Sequence, residues 1–229
     1  MSVSAALAEL GSREALIALA VNGGAEIADF SLRRMIERFG SDGEMREALL
    51  SRPHLPAALR SVLVALTAPA LSNFVTSRSW LSSERAERVT REARESANIM
   101  ISAETARDGD HAGACELVAY LRTTGQLTAG LILRSLLCGH TNLFEAALCE
   151  LSGLPAKRVA GLVGDFRSAG FAALYNRAGL PAGLLPAFRA ALEAQREAGL
   201  LSESCHMIGL SRTIIERVLT ACEDMDEDQ

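Results

Sequence analysis

Apolar residues recur at spacings of three and four along almost the whole chain, and no convincing run alternates with a period of two. That spacing gathers apolar side chains on one stripe of an α-helix, so the expected fold is all-α. Leu143, Phe144, Ala147, Leu148 and Leu151 form one stripe, Val159, Leu162, Val163 and Phe166 a second, and Leu184, Leu185, Phe188, Ala191 and Leu192 a third. Each such helix has one face to bury. Residues suited to an N-cap or a first turn place helix starts at Ser12, Ser41, Pro56, Pro69, Ser83, Asp110, Thr128, Asn142, Pro155, Ser168, Pro181 and Ser211. Glycines 40, 125, 139, 153, 179 and 199 are expected to end the preceding helices. The pattern predicts helices over 128–138, 142–152, 155–166, 168–178 and 181–197, with one long helix over 83–105, where neither Gly nor Pro occurs.

A repeat lies in the second half. Gly153-Leu154-Pro155-Ala156 recurs 26 residues later as Gly179-Leu180-Pro181-Ala182, and Leu55-Pro56-Ala57, preceded by Arg52-Pro53-His54, is a third copy. The mechanics are local: Gly ends one helix, Leu anchors the turn, and Pro takes a first-turn position whose N–H would lack a partner anyway. Residues 127 to about 200 therefore read as stacked antiparallel helical hairpins, a HEAT-like α-solenoid. The expected organisation is a single helical repeat-like domain over 1–222, with sub-parts 1–80 and 83–222, followed by an acidic tail at 223–229.

Two regions, about 127–195 and 40–66, carry a family resemblance. Leu127-Thr128-Ala129-Gly130-Leu131-Ile132-Leu133-Arg134-Ser135-Leu136, with Gly139, Phe144-Glu145-Ala146-Ala147-Leu148 and Leu174-Tyr175-Asn176-Arg177-Ala178-Gly179-Leu180-Pro181, resembles the bacterial domain of unknown function family 2336. Ala48-Leu49-Leu50-Ser51-Arg52-Pro53-His54-Leu55-Pro56 also resembles it. The resemblance implies an all-helical, alphaproteobacterial protein and assigns no activity to any residue.

Composition narrows the classes. With 229 residues the chain can bury a substantial core, and its 49% apolar content, rich in Ala and Leu and with 4% aromatics, favours helix. Of the net charge of −5, Glu223, Asp224, Asp226, Glu227 and Asp228 account for all, so the body is neutral and offers no broad basic field for nucleic acid or anionic lipid. Lys157 is the only lysine beside 22 arginines, a bias that reads first as coding preference. Five cysteines without a Cys-x-x-Cys spacing, and no secretory start, point to reduced thiols in a cytoplasmic protein. The longest uncharged run, Ser61 to Ser77, holds Pro69 and Asn73 and is short and polar for a bilayer span, so no membrane insertion is expected.

Enzyme motifs are missing from the sequence. Lys157 follows Ala156, so there is no Gly-Lys-Ser/Thr, and His-Glu-x-x-His, Gly-x-Ser-x-Gly and Gly-x-Gly-x-x-Gly do not occur. No enzymatic activity and no cofactor are expected. Glu104, Asp108, His111 and Cys115 would align on one face of a continuous helix, but Asp108-Gly109-Asp110 reads as a turn with Asp110 as N-cap, so no metal site is expected. Cys138 with His140, and Cys205 with His206, do not form a site alone. Lone Trp80, at the junction before the long helix, reads first as a plug between substructures and only then as a binding hot spot.

The expected function is a non-catalytic helical scaffold or regulatory module binding a protein partner, a homodimer included, and nucleic acid is not the expected partner. Arg134, Asn142, Tyr175 and Arg177, polar groups inside apolar repeat segments, are its candidate binding residues, beside the bland role of caps and inter-helix hydrogen bonds. The rival reading is a helix-turn-helix DNA binder over 142–167, with Lys157, Arg158 and Arg167 toward the nucleic acid.

Overall fold

The computed structural model describes residues 2–201, and all regular structure among them is helical. The helices are α1 (Val3–Leu10), α2 (Arg13–Val21), α3 (Asp29–Phe39), α4 (Gly43–Leu50), α5 (Ala57–Ser77), α6 (Ser83–Arg107), α7 (His111–Thr123), α8 (Ala129–Leu137), α9 (Thr141–Ser152), α10 (Ala156–Gly164), α11 (Ala169–Arg177), a 3₁₀ turn at Ala182–Leu184, and α12 (Leu185–Leu201). Helix α6, with 25 residues, is the longest of these, as its unbroken pattern predicts. The chain divides into two compact units, Met1–Ile101 and Ser102–Gln229. The division falls inside α6, whereas the punctuation placed it at the loop before that helix. Ser211, Cys205, His206, Cys222 and the acidic tail lie outside the described residues.

In the first unit α1 packs on α3 and α2 on α4, and α5 meets both α3 and α4. Side chains of Ser2, Ser12 and Asp42 accept from the N–H groups of Ala5, Ala15 and Met45, each supplying the cap that its helix start lacks. The core gathers Leu16, Met35, Met45, Leu49, Leu59 and Leu63, all buried. Helix α4 starts one residue later than expected, because Asp42 rather than Ser41 is the cap. Pro69 does not start a helix: α5 runs through it for 21 residues. A proline inside a helix removes one donor and crowds the carbonyl four residues back, a cost that the rest of this long apolar helix overrides. Within the same unit the Ser61 hydroxyl donates to Asn98 Oδ1 at 2.7 Å, a buried bond between α5 and α6.

In the second unit α9 is the central helix, packed against α7, α8, α10 and α11, while α12 covers α8. Four buried rings meet in its core: Phe144 stacks on Phe188 at 5.7 Å, and Tyr175 meets Phe188 edge-on at 5.4 Å and Phe171 at 6.3 Å. The helix ends read from sequence hold here. Gly125, Gly139, Gly153 and Gly179 are left-handed, with φ of 68°, 85°, 68° and 71°, a region open to Gly without a Cβ penalty. Gly40 ends α3 without that conformation, at φ −65°, and Gly199 lies within α12. The three Leu-Pro-Ala copies share one turn: the residue before each Leu is left-handed, His54 at φ 60° as well as Gly153 and Gly179. Helix α9 begins at Thr141 after His140, one residue before Asn142.

The arginine bias has a structural use. Arg38 donates to the carbonyls of Ala8 and Gly11, Arg46 to Gly40 and Ser41, Arg177 to Ser152, and Arg189 to Phe166 and Ser168. Arg52 reaches four carbonyls, those of Leu19, Ala20, Asn22 and Ala25, at 2.7–3.3 Å. Most of these carbonyls are in last turns or just past them, where no helix N–H remains to satisfy them. A planar guanidinium spans several at once and complements the negative end of the helix; an ammonium does so poorly.

Candidate functional site

The residues singled out from sequence separate into different environments. Tyr175 is fully buried among the rings, and its hydroxyl donates to Pro181 O at 2.8 Å, tying α11 to the turn that follows it. Burial pushes that phenol up to about 12, since the phenolate would lose its hydration. Arg177 Nε donates to Ser152 O at 2.8 Å, an inter-helix bond to the end of α9. These two side chains serve the fold, the bland role weighed for them above. Asn142 is exposed in the first turn of α9, and Arg134 is half-buried in the last turn of α8.

Of the hairpin cations, Lys157 and Arg158 are exposed at the start of α10, whereas Arg167 pairs with Glu193 of α12. Val159 and Val163, on the opposite side of α10, are buried. Glu104 belongs to α6, which ends at Arg107; Asp110 then caps α7 by accepting from Gly113 N–H at 2.8 Å. The turn at Asp108–Asp110 therefore separates Glu104 from His111 and Cys115, and among the described residues no three His, Cys, Asp or Glu side chains gather as for a metal ion. Beside the left-handed Gly139, burial raises the Cys138 thiol and lowers His140, so both favour the neutral form.

The open grooves among the described residues include one in each unit. In the second unit a groove of about 420 Å³ is lined by Cys115, Ala146, Cys149, Glu150, Gly153, Leu154 and Pro155. Burial raises the Cys149 thiol, with Cys115 and Glu145 adding to the effect, and a thiol held protonated is a poor nucleophile. Glu150 is engaged by Arg122 at 2.8 Å. In the first unit a groove of about 390 Å³ lies between α5 and α6, with Pro69, Ser72 and Asn73 on one wall and Glu87, Arg91 and Arg94 on the other.

The remaining feature was not flagged by sequence. Every large apolar side chain that stands exposed among the described residues belongs to the first unit, from Val3 and Leu10 through Phe30 to Trp80 and Met100. Helix α5 carries three of them, Leu66, Leu71 and Phe74. Leu59 and Leu63 are seated in the core; the same stripe continues at spacings of three and four as Leu66, Ala70 and Phe74, all exposed, with Leu71 exposed beside it. No charged residue occurs between Arg60 and Arg78. By length and composition alone α5 could also cross a membrane, the proline having failed to divide it.

The end of α5 is built to hold aromatic surface outward. Ser79 is left-handed at φ 56°, and the N–H groups of Ser79 and Trp80 turn back to the carbonyls of Thr76 and Val75 at 2.9 and 3.0 Å. This is the cap pattern that brings the residue past the turn onto the last turns of the helix. Trp80 accordingly meets Phe74 edge-on, with ring centroids 5.6 Å apart, and Arg78 lies over the Phe74 ring at 5.1 Å. Trp80 remains 64% exposed, so it is not the plug between substructures that its isolation in the sequence suggested.

A family model described as "Uncharacterised protein conserved in bacteria (DUF2336)" matches residues 1–228, and the chain belongs to that family. No curated protein and no solved structure matched the chain.

Proposed function

We propose that this member of the family is a non-catalytic helical module that binds a protein partner through the first unit, with the outer face of α5 at the centre of contact. The observation that carries the reading is the exposed stripe Leu66, Ala70 and Phe74 with Leu71 and Trp80 beside it. Contiguous exposed apolar surface rimmed by polar groups marks interaction sites, and a Trp, Phe and Arg cluster is the composition of an interface hot spot. The Ser79 turn and the Arg78 and Trp80 contacts hold that cluster in place before binding, which reduces the ordering cost. A cytoplasmic site of action belongs to the same reading, as does the HEAT-like arrangement of hairpins, supported by the matched left-handed turns at 153 and 179.

The test is cross-linked affinity purification of the tagged full chain from its native cells, followed by mass spectrometry, beside Phe74→Glu. A stoichiometric protein partner that disappears with Phe74→Glu is the expected result. Recovery of the same proteins from both, or of none, overturns the reading. The rival, DNA binding by the hairpin 142–167, is favoured by one observation, the exposed Lys157 and Arg158 at the start of its second helix.

A further inference from the structure

We propose that the occupant of the α5 face is a second copy of the same chain, the two helices crossing antiparallel about a two-fold axis at Ala70. The inference rests on the protein-binding reading above and names the partner.

Three observations carry it. First, the stripe is symmetric in size about its middle: Leu66, Ala70 and Phe74 stand at i, i+4 and i+8, large, small and large. A two-fold contact puts the same patch on both partners. With its axis at Ala70, Leu66 of one copy meets Phe74 of the other and the reverse, while the small residue at the crossing lets the helices approach. Second, the area is sufficient. Exposed fractions of 64% for Trp80 and 47% for Phe74 leave on the order of 100–150 Å² each, if such rings present ~150–250 Å² in all. With Leu66 and Leu71 the patch reaches about 400 Å², the scale of functional surface patches. A standard interface buries about 800 Å² per partner, of which a little over half is apolar, so the patch supplies most of what such a contact needs. Third, charge selects the pairing. Between Arg60 and Arg78 nothing charged has to be desolvated, and antiparallel packing sets the two Arg78 side chains at opposite ends, where parallel packing would oppose them. A lipid surface is the weaker match: it offers no counterpart to the Leu66, Ala70 and Phe74 pattern, and the groove beside α5 mixes Glu87 with Arg91 and Arg94.

Sedimentation velocity of the full chain over about 1–100 µM, with emission of its single tryptophan read on the same samples, tests the proposal. The expected result is a rise from one to two chains per particle, accompanied by a blue shift of Trp80 as its neighbour Phe74 is covered. Ala70→Glu, at a position exposed in the single chain, is expected to abolish both changes while far-UV circular dichroism stays helical. Leu66→Arg and Phe74→Glu should each abolish association singly and restore it together, since the antiparallel crossing pairs the two new charges between copies. A single chain at all concentrations, or a dimer indifferent to Ala70→Glu and not restored by the double variant, overturns the proposal. So does binding of the single chain to vesicles of phosphatidylcholine with phosphatidylglycerol, together with the same blue shift. A foreign protein captured through Phe74 by a strictly monomeric chain overturns the second copy and leaves the broader reading standing.

Discussion

Replacing Arg52 probes the device by which this fold closes its helix ends. The guanidinium donates from Nη1 to the carbonyls of Leu19, Ala20 and Asn22, at 3.3, 2.9 and 3.0 Å, and from Nη2 to Ala25 O at 2.7 Å. These carbonyls belong to the last turn of α2 and the loop beyond it, where no helix donor remains. Because one nitrogen serves three acceptors, the count of well-formed bonds is nearer two than four. A hydrogen bond to a charged group contributes roughly 1.5–3 kcal/mol, and the half-exposed position lowers that, so Arg52→Ala is expected to cost about 2 kcal/mol. Arg52→Lys should recover less than half, because an ammonium cannot span from Asn22 O to Ala25 O. Urea unfolding followed by Trp80 fluorescence reports on the first unit; at a slope of about 2 kcal/mol per molar, the midpoint falls by about 1 M. A lysine variant equal to wild type, or an alanine variant within about 0.5 kcal/mol of it, the range of an ordinary surface change, would refute the reasoning.

Val159→Asp places an unpaired charge in the buried seam between α10 and α9 and should cost several kcal/mol by denaturant unfolding, whereas Lys157→Ala and Arg158→Ala at exposed positions stay within about 0.5 kcal/mol. Mobility shifts with genomic duplexes are expected to show no complex tighter than about 10⁻⁴ M, and a tight complex lost with both cation changes would restore the DNA reading. Tyr175 binds its proton more tightly folded than unfolded, with its phenol pushed up to about 12 by burial. Its contribution is complete below about pH 10, the ordinary tyrosine value, and is lost as the pH rises toward 12, because the unfolded chain ionises first. Stability measured over that window should slope downward, and Tyr175→Phe should remove the slope; an unchanged slope counts against the assignment.

The second unit was legible to the degree that its signals are local. A left-handed Gly followed by Leu-Pro-Ala fixes where α9 and α11 end, and Asp110, Thr128 and Ser168 cap the helices that follow them, all within a few residues of chain. What depends on distant partners was not legible. The acceptors of Arg52 lie 27–33 residues away, so the arginine bias carried no structural meaning until the helix ends were in place. Tyr175 and Arg177 are polar interruptions of an apolar pattern, and sequence cannot tell a binding residue from one whose donor is used inside. Pro69 misled because its cost falls on one turn while the helix is decided over 21 residues. The α5 face was missed for a related reason: Leu66, Ala70 and Phe74 continue the stripe that buries Leu59 and Leu63, and periodicity does not say where the covering helices stop.

The central claim is that the outer face of α5 is covered by protein in the cell. Its most direct test replaces Phe74 with a photoreactive phenylalanine analogue in the full chain and irradiates living native cells. The account predicts a light-dependent adduct to a polypeptide, a second copy or another protein, that is lost when Ala70→Glu is added. Irradiation that gives no protein adduct at Phe74, or gives it equally with Ala70→Glu, would contradict it.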